Sequence, residues 1–453
     1  MQTLGPASSP AAAHPALRRE LGRWALTAIG VNQVIGSGIF RLPADLAAAS
    51  GGWSPFLVAG VGLASLLIAL CFAEVSSRFE ATGGSYIYTK AAFGRFLGFE
   101  VGWMLWFTRV SSWASVLHVL ASALALYWPA LDGGVPRALL IAFVLGTFAV
   151  VNILGIRLSS LVVSGFTIGK LLPLLGFVAI GLPFVDTARL QPEGAVEVTD
   201  LATGALLLIF AFGGYETVPV PAGEARNPRS AVPFALVMTI VVVTIVMVLV
   251  QVVALGTLPD LTGSRTPLAD AAGRFMGPIG ALLLTIGAVI STSGNSMGQA
   301  LSGSRSLFAL AEQGDIPRVF GYVHPKYRTP STAILFTCGV SLVLALSGSF
   351  VALAAASAVA RLLVYVATCL ATLRLRQPRF ATAVEPATFV LPFGPVIPLG
   401  AILVSMTIAA GATRMQLLSG TGALAVGAVL YLIAIRGASS RRRALRLTGR
   451  TKP

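Results

Sequence analysis

The residues best suited to bind a small charged molecule lie in two apolar stretches that glycine interrupts. Residues 28–44 read AIGVNQVIGSGIFRLPA, and residues 206–221 read LLLIFAFGGYETVPVP. Glycine costs about 1 kcal/mol per residue relative to alanine inside a helix, so each stretch is expected to unwind at its glycines. Unwound backbone at membrane depth is tolerated where it is buried in protein or lines a cavity. Freed N–H and C=O groups there would suit a zwitterion, and the alternative is a small-residue face for helix packing.

Lys170 is the second candidate for chemistry. It lies within the apolar run SGFTIGKLLPLLGFV. A lysine inside an apolar span is costly and usually functional, and a buried ammonium group can exchange a proton. The alternative is a side chain that snorkels to the membrane surface. Lys170 lies about ten residues into its span, roughly 15 Å at 1.5 Å per residue, which is a long reach for snorkelling.

Glu216 follows the second glycine pair. Three roles are open for it: a proton site, a contact for a basic substrate, or a structural partner that caps freed N–H groups.

Composition places the chain among polytopic membrane proteins. Of 453 residues, 56% are hydrophobic and 11% charged, and the mean hydropathy is +0.85. The net charge of +15 falls in short clusters between apolar runs, which indicates membrane topology and not a nucleic-acid partner. The three cysteines lack metal-ligand spacing, and the chain has neither a phosphate-binding loop nor an HExxH motif. These absences predict a protein that is not an enzyme, with no cofactor and no metal.

Apolar runs of about 20 residues predict twelve spans. They are 24–44, 55–76, 97–128, 138–156, 160–184, 200–221, 233–257, 277–310, 331–347, 350–373, 391–411 and 418–435. With both termini in the cytoplasm, 23 of the 32 Lys and Arg residues lie on the cytoplasmic side, against five outside. This asymmetry fixes the predicted orientation.

The two interrupted spans are the first and the sixth. That spacing predicts two five-helix repeats inverted relative to each other, with the substrate held between the breaks. The predicted units are a cytoplasmic tail (1–23), the first repeat (24–184), the second repeat (200–376), helices 11 and 12 (391–436) and a basic cytoplasmic tail (437–453).

Four motifs, in order and at the expected spacing, carry a family resemblance. They are GSGIF, FAFGGYE, GEARNPRSAVP and SGSRSLFALAEQGDIPRVFGYVHPKYRTP. The region from about Arg23 to Arg376 resembles the amino acid permeases of the amino acid, polyamine and organocation (APC) superfamily. The resemblance implies an all-α fold of twelve transmembrane helices, in which the first ten form the 5+5 inverted repeat. It also implies secondary transport of amino acids or related amines by alternating access.

The resemblance and backbone chemistry together predict the substrate site. An α-carboxylate needs N–H donors at the start of the outer half-helix, and an α-ammonium needs freed carbonyls. Phe210 matches the family's aromatic gate, and Phe212 and Tyr215 are expected to shape the side-chain pocket. The predicted donors are Gly36, Ser37 and Gly38, and the predicted acceptors are Val34, Ile35, Phe210, Ala211 and Gly213.

Some members of the family carry a lysine in span 5 where sodium-coupled relatives hold a cation. The resemblance therefore places the Lys170 ammonium between spans 1 and 8, near Val34 or Ile35. The partners expected on span 8 are Ser291, Thr292 and Ser293. This predicts a sodium-independent carrier, either a proton symporter or an amino acid exchanger.

Glu74, Arg78, Arg305 and Asp315 match family positions on the cytoplasmic side. They are expected to form ion pairs that close the inward gate, although sequence does not reveal the partners.

The leading prediction is an amino acid carrier in the inner or plasma membrane that needs no obligatory protein partner. The alternatives are an amino acid-sensing receptor with the carrier fold, a carrier of polyamines or other amines, and a light subunit that needs a partner chain. Small residues around both breaks favour a neutral substrate, while Glu216 leaves a basic one open.

Overall fold

The protein is described by a computed structural model that covers residues 17–125, 128–192, 197–347 and 350–447. This part of the chain contains fourteen α-helices and no β-strand. The helices are α1 Arg23–Val34, α2 Leu42–Ser50, α3 Ser54–Ser76, α4 Ser85–Phe93, α5 Arg95–Ala125, α6 Gly134–Leu154, α7 Ile156–Gly181, α8 Val198–Phe212, α9 Pro228–Thr257, α10 Pro267–Glu312, α11 Ser331–Ser347, α12 Phe350–Leu375, α13 Val396–Ala410 and α14 Arg414–Leu447.

Several helices are apolar on both their buried and exposed faces. Leu139, Phe143 and Val343 are large apolar side chains that stay mostly exposed, as expected where lipid surrounds a helix. By length and composition, six helical segments in the described residues can cross a bilayer. They are Leu42–Ser76, Gly134–Leu154, Ile156–Phe184, Pro228–Thr257, Pro267–Glu312 and Arg414–Ile433. The chain is therefore a multi-pass membrane protein.

Two of the predicted apolar segments match helices closely. Segment 331–347 matches α11 residue for residue, and segment 55–76 differs from α3 by one residue at its start. In each, the uninterrupted apolar run decides where the helix lies, because backbone groups in a bilayer core must bond to each other.

The first predicted span is broken, as the glycines indicated. Helix α1 ends at Val34, a short 3₁₀ helix covers Ser37–Phe40, and α2 begins at Leu42. Between the two helices Gly36 is extended, with φ −93° and ψ −157°. The break lies at the predicted GSG motif, and both flanking pieces remain helical.

The sixth predicted span is broken too, but its second half is irregular. Helix α8 ends at Phe212, and Gly214 has φ +134°, a conformation that favours glycine. Two 3₁₀ turns follow, Tyr215–Thr217 and Ala222–Glu224, before α9 begins. Pro219 and Pro221 lack the N–H that a continuous helix requires.

Helix α10 begins ten residues before the predicted start of span 8 and bends at that predicted start. Gly277 has φ +69° and ψ −164°, and Pro278 follows it. A positive φ and a missing N–H interrupt the helix at this point. The predicted span 277–310 therefore corresponds to the longer arm, and the short arm from Pro267 was not predicted.

Helix α1, which ends at the first break, lies inside the bundle. It packs against α7, α9 and α10, and α10 packs in turn against α5 and α7. The two breaks are therefore surrounded by protein.

Candidate functional site

The break after α1 exposes backbone groups. Ile35 N–H still donates to Val31 O at 2.9 Å, but Gly36 N–H donates to Val34 O at 2.8 Å, outside the α-helical pattern. The first N–H groups of the following 3₁₀ helix have no partner within that helix. Gly36 and Gly38 line a cavity of about 300 Å³. The predicted donors therefore border a space that can hold a small molecule.

The two breaks are in direct contact. A Cβ added to Gly214 would lie 2.7 Å from the carbonyl oxygen of Gln33. Glycine at this position is thus required both by its φ and by the approach of α1. The contact brings the two predicted halves of the site together across a distance that no larger residue allows.

Helix α10 binds the last turn of α1 through side-chain amides. Asn295 Nδ2 donates to Gln33 O at 3.0 Å, and Gln33 Nε2 donates to Asn295 O at 3.0 Å. Asn32 Nδ2 donates to Gly294 O at 2.6 Å. The bond from Asn295 satisfies the Gln33 carbonyl near the break, and the other two bonds join side chains of α1 to carbonyls of α10, so α10 holds the end of α1 in place.

Lys170 on α7 lies fully buried between α1 and α10. Its ammonium donates to Ile35 O at 2.6 Å, Asn32 O at 3.1 Å and Ser291 O at 3.3 Å. Ser291 Oγ donates to the same Ile35 carbonyl, at 3.1 Å, and to Gly36 O at 2.9 Å. The side chain therefore does not snorkel. Its three carbonyl contacts are the kind that a bound cation would make.

The other predicted partners of Lys170 lie elsewhere. Thr292 Oγ1 donates to Ala288 O within its own helix at 2.8 Å. In the described contacts neither Thr292 nor Ser293 bonds to Lys170. The contact with α10 runs instead through the Ser291 carbonyl, because a backbone oxygen accepts an ammonium proton as well as a hydroxyl does.

Most of the residues that were predicted to bind substrate through their backbone groups line the cavity. Phe212 and Tyr215, predicted to shape the pocket, are buried in packing, and Tyr215 stacks on Tyr365 with ring centroids 5.2 Å apart. The Phe210 side chain, predicted to form the aromatic gate, and the Ser37 side chain lie outside what the structure describes. The predicted residues that line the cavity are Val34, Ile35, Gly36, Gly38, Ala211 and Gly213.

Polar side chains that sequence reasoning missed complete the cavity wall. Asn295 and Gln299 come from α10, Ser112 from α5 and Arg361 from α12. Asn295 and Gln299 are four residues apart in an apolar span, and that spacing, which places both on one helix face, was the available signal.

Glu216 lies fully buried between two arginines. Arg109 Nη2 contacts its Oε1 at 2.6 Å, and Arg361 Nε lies 3.1 Å from the same oxygen. Its Oε2 accepts from Gly214 N–H at 2.7 Å and from Tyr365 Oη at 2.9 Å. Of the three roles considered for Glu216, these are the contacts of a structural partner that caps freed N–H groups.

The cavity reaches an exposed side chain at one end of the bundle, here called the open end, and a buried ion pair further along α10 marks the other, the closed end. At the open end it is lined by Arg41, whose side chain is 60% exposed and lies 3.7 Å from Asp45. At the opposite end Arg305 donates to both oxygens of Glu224, at 2.9 and 3.1 Å, and both side chains are fully buried. A buried bidentate pair of an arginine and a carboxylate is a strong interaction.

Two further clusters lie at the closed end. Asp315 accepts from Tyr86 Oη at 2.5 Å and from Lys90 Nζ at 3.0 Å, and it also pairs with Arg95. Burial, followed by the hydrogen bond to Asp315, raises the pKa of the Tyr86 phenol.

Glu74 forms the other cluster with Arg376, at 2.6 and 2.5 Å. Arg78, for which no partner was predicted, donates to Glu385 O at 3.4 Å.

The chain preceding α1 is attached to this closed end. Glu20 N–H and Leu21 N–H both donate to Glu224 O at 2.9 Å, and Arg226 N–H donates to Leu21 O at 3.0 Å. Leu21 and Ala225 form an isolated parallel bridge. Glu224 therefore bonds to Glu20 and Leu21 through its backbone carbonyl and to Arg305 of α10 through its side chain.

Comparison with known proteins gives consistent matches. A family model described as amino acid permease matches residues 21–435. The branched-chain amino acid permease of Bacillus subtilis is 28% identical over 92% of this chain and 93% of its own length. The serine/threonine exchanger of the same organism is 29% identical over 73% and 77% of the two chains. Its glutamate/serine transporter is 29% identical over 80% and 72%.

Proposed function

Because this chain belongs to the amino acid permease family, we propose that it is a secondary active transporter of amino acids that works by alternating access. It is a transporter and not an enzyme, as its relatives are. The observation that carries the proposal is the contact between two broken helices beside a cavity of about 300 Å³, with freed backbone groups on the cavity wall. Such breaks are typical of carriers that bind substrate near the membrane midplane.

The proposed architecture is twelve spans with a 5+5 inverted repeat. Helix packing supports it. An inverted repeat that relates span 1 to span 6, span 2 to span 7 and so on requires packing contacts in matched pairs. The contact of α1 with α9 (spans 1 and 7) has its counterpart in α3 with α8 (spans 2 and 6), and α7 with α10 has its counterpart in α5 with α12. The proposed units remain 1–23, 24–184, 200–376, 391–436 and 437–453.

In the proposed substrate site, the N–H groups of Ser37 and Gly38, with Gly36 beside them, hold the α-carboxylate; the Gly36 N–H already donates to Val34 O. Carbonyls at the two breaks hold the α-ammonium. Val34, Ala211 and Gly213 all line the cavity, and the Val34 carbonyl already accepts from Gly36 N–H. The carbonyl of Ile35 already accepts from Lys170 and Ser291, so it contributes less than predicted. The three relatives are named for branched-chain amino acids, for serine and threonine, and for glutamate and serine. They support an amino acid and leave its side chain undecided.

Lys170 is the proposed coupling residue. Its ammonium donates to the carbonyl groups of Asn32, Ile35 and Ser291. No sodium ion is therefore needed to hold the end of α1 against α10. Loss of its proton would weaken those contacts. The carrier is therefore proposed to be sodium-independent and to work by proton symport or amino acid exchange.

The experiment is transport by purified protein in proteoliposomes loaded with the twenty amino acids. We expect accumulation of labelled external amino acid by exchange or under an inward proton gradient, with no need for sodium. Lys170→Ala is expected to retain binding in a thermal-shift assay and to lose roughly tenfold or more of its coupled uptake, in the range of usual coupling energies. Lys326→Ala, at an exposed loop lysine, is the control.

Two results would contradict the proposal. Uptake that required sodium and ignored a pH gradient would remove the role of Lys170 in coupling. Binding without any flux would favour the receptor alternative.

A further inference from the structure

The buried cluster of Arg109, Glu216 and Arg361 has an uneven charge. Arg109 and Arg361 both contact the Glu216 carboxylate, at 2.6 and 3.1 Å. Arginine stays protonated in proteins. The cluster therefore carries two positive charges and one negative charge in the interior of a membrane protein.

Glu216 cannot offer its charge to a ligand. Its Oε1 faces both guanidinium groups, and its Oε2 accepts from Gly214 N–H and Tyr365 Oη. Three hydrogen bonds and the ion pair with Arg361 surround the carboxylate. A basic substrate would find no acceptor here and would face a net positive wall.

Arg361 brings the extra positive charge to the cavity. It lines the cavity beside Gln299 and Asn295, and its side chain is 9% exposed. A Cβ added to Gly213 would lie 2.8 Å from the Arg361 Cζ, so the guanidinium lies against the break that follows α8. The charge is thus next to the carbonyls proposed to bind the α-ammonium.

A net charge buried in a membrane protein is costly unless another charge balances it. Asp45, the one acidic residue among the described residues that line the cavity, lies near Arg41 at the exposed end. An anionic group on the ligand would balance the cluster. A ligand whose side chain ends in a carboxylate would supply that group at Arg361.

We propose that the substrate is an amino acid with a side-chain carboxylate, of the size of aspartate or glutamate, and that Arg361 receives that carboxylate. This inference rests on the proposed function, since it assumes that the α-amino and α-carboxyl groups bind at the helix breaks. A cavity of about 300 Å³ is at the small end of the range for ligand sites. The proposed acidic substrate replaces the expectation of a neutral or basic one.

The first test is binding by purified protein. Thermal-shift titrations compare glutamate with glutamine and aspartate with asparagine, pairs that differ in charge and hardly in size. We expect half-saturation at about tenfold lower concentration for the acid of at least one pair, as for other desolvated charge contacts. Equal or tighter binding of the amides would overturn the inference.

Variants then identify the residue. Arg361→Gln leaves the Arg109–Glu216 pair neutral, and the acid-to-amide ratio is expected to fall to about one. Arg361→Lys should keep the preference for the acid. The matched control is Arg41→Gln, which removes the other arginine on the cavity wall and should leave the ratio unchanged. A ratio that falls with Arg41→Gln and survives Arg361→Gln would contradict the assignment.

Failure of this inference differs from failure of the proposed function. Counterflow in proteoliposomes that carries neutral amino acids as well as glutamate would overturn the inference and leave the carrier intact. Tight glutamate binding with no flux would support the inference and overturn the carrier. If Arg361→Gln does not fold, the ratio measured on the unaltered protein decides.

Discussion

Gly38 and Gly214 lie at the two helix breaks, yet a side chain would meet different surroundings at each. A Cβ at Gly38 meets no atom within 4 Å. A Cβ at Gly214 would lie 2.7 Å from Gln33 O, and φ at Gly214 is +134°. One glycine therefore leaves room for a ligand, and the other allows two backbones to touch.

The same type of substitution should thus separate binding from stability. Gly38→Val is expected to abolish substrate binding and to leave the thermal unfolding temperature almost unchanged, because the added methyl groups enter the cavity. Gly214→Val should destabilise the fold by about 1–3 kcal/mol or more, the usual cost of a strained backbone. Thermal unfolding and ligand titration of both variants test this. Retained binding in Gly38→Val would show that the GSG motif serves helix packing.

Single residues also show where sequence reasoning stops. Glu74, Arg305 and Asp315 were recognised from motifs, but their partners Arg376, Glu224 and Lys90 lie 302, 81 and 225 positions away. Many arginines and acids could pair in a sequence, and the choice depends on how helices are placed in three dimensions. The same holds for Arg361, which a motif does not mark and which only the approach of α12 to the break brings to the cavity.

At the scale of elements, the helices were the predictable part. Apolar runs fixed α3, α9 and α11 closely, because a bilayer requires long continuous helices. The break in span 1 followed from glycine chemistry. The bend of α10 at Gly277 was less accessible, since the residues before it are amphipathic and gave no span-length apolar run.

The closed end depends on one face of α10. Asn295, Gly298, Ser302 and Arg305 follow each other at helical spacing, and Ser302 is fully buried between the amide contacts at Asn295 and the ion pair at Arg305. Glu224→Gln removes one charge of that pair and leaves Arg305 buried with a weaker partner, which is strongly unfavourable. The variant should therefore populate the state in which this end is open.

A cysteine at Ser302 reports this opening, since the chain's own Cys71, Cys338 and Cys369 are buried. Maleimide should modify Ser302→Cys about tenfold faster when Glu224→Gln is present, a change within typical coupling energies. Asp186→Asn, in the exposed pair with Arg189, is the control and should not change the rate. Unchanged labelling in both would mean that the Arg305–Glu224 pair does not hold the end closed.

At the scale of the whole molecule, the distribution of basic residues predicts the orientation. The end closed by Arg305, Arg95 and Lys90 is proposed to face the cytoplasm, so the cavity is open outward. Thr262→Cys and Gln377→Cys place cysteines at exposed positions of opposite ends. In intact cells a membrane-impermeant maleimide should label the first and spare the second. The reverse pattern would invert the proposed topology.

Part of the arrangement of the whole molecule was predictable, because the positions of the interrupted spans in the sequence constrain which helices can meet. Two interrupted spans, the first and the sixth, predicted that two breaks would lie close together, and Gly214 and Gln33 do so. The charge of the cavity was not predictable, because it depends on Arg109, Glu216 and Arg361 from three separate helical regions meeting at one point.

The bridge between Leu21 and Ala225 has a consequence for biogenesis. Leu21 leaves the ribosome about 200 residues before Ala225, which at usual rates of synthesis is about 10 to 40 s earlier. During that interval the first helices enter the membrane while Glu20 and Leu21 lack their partner. The bridge can therefore form only after α8 has been made, and helices α1 to α8 are synthesised before Leu21 can pair with Ala225.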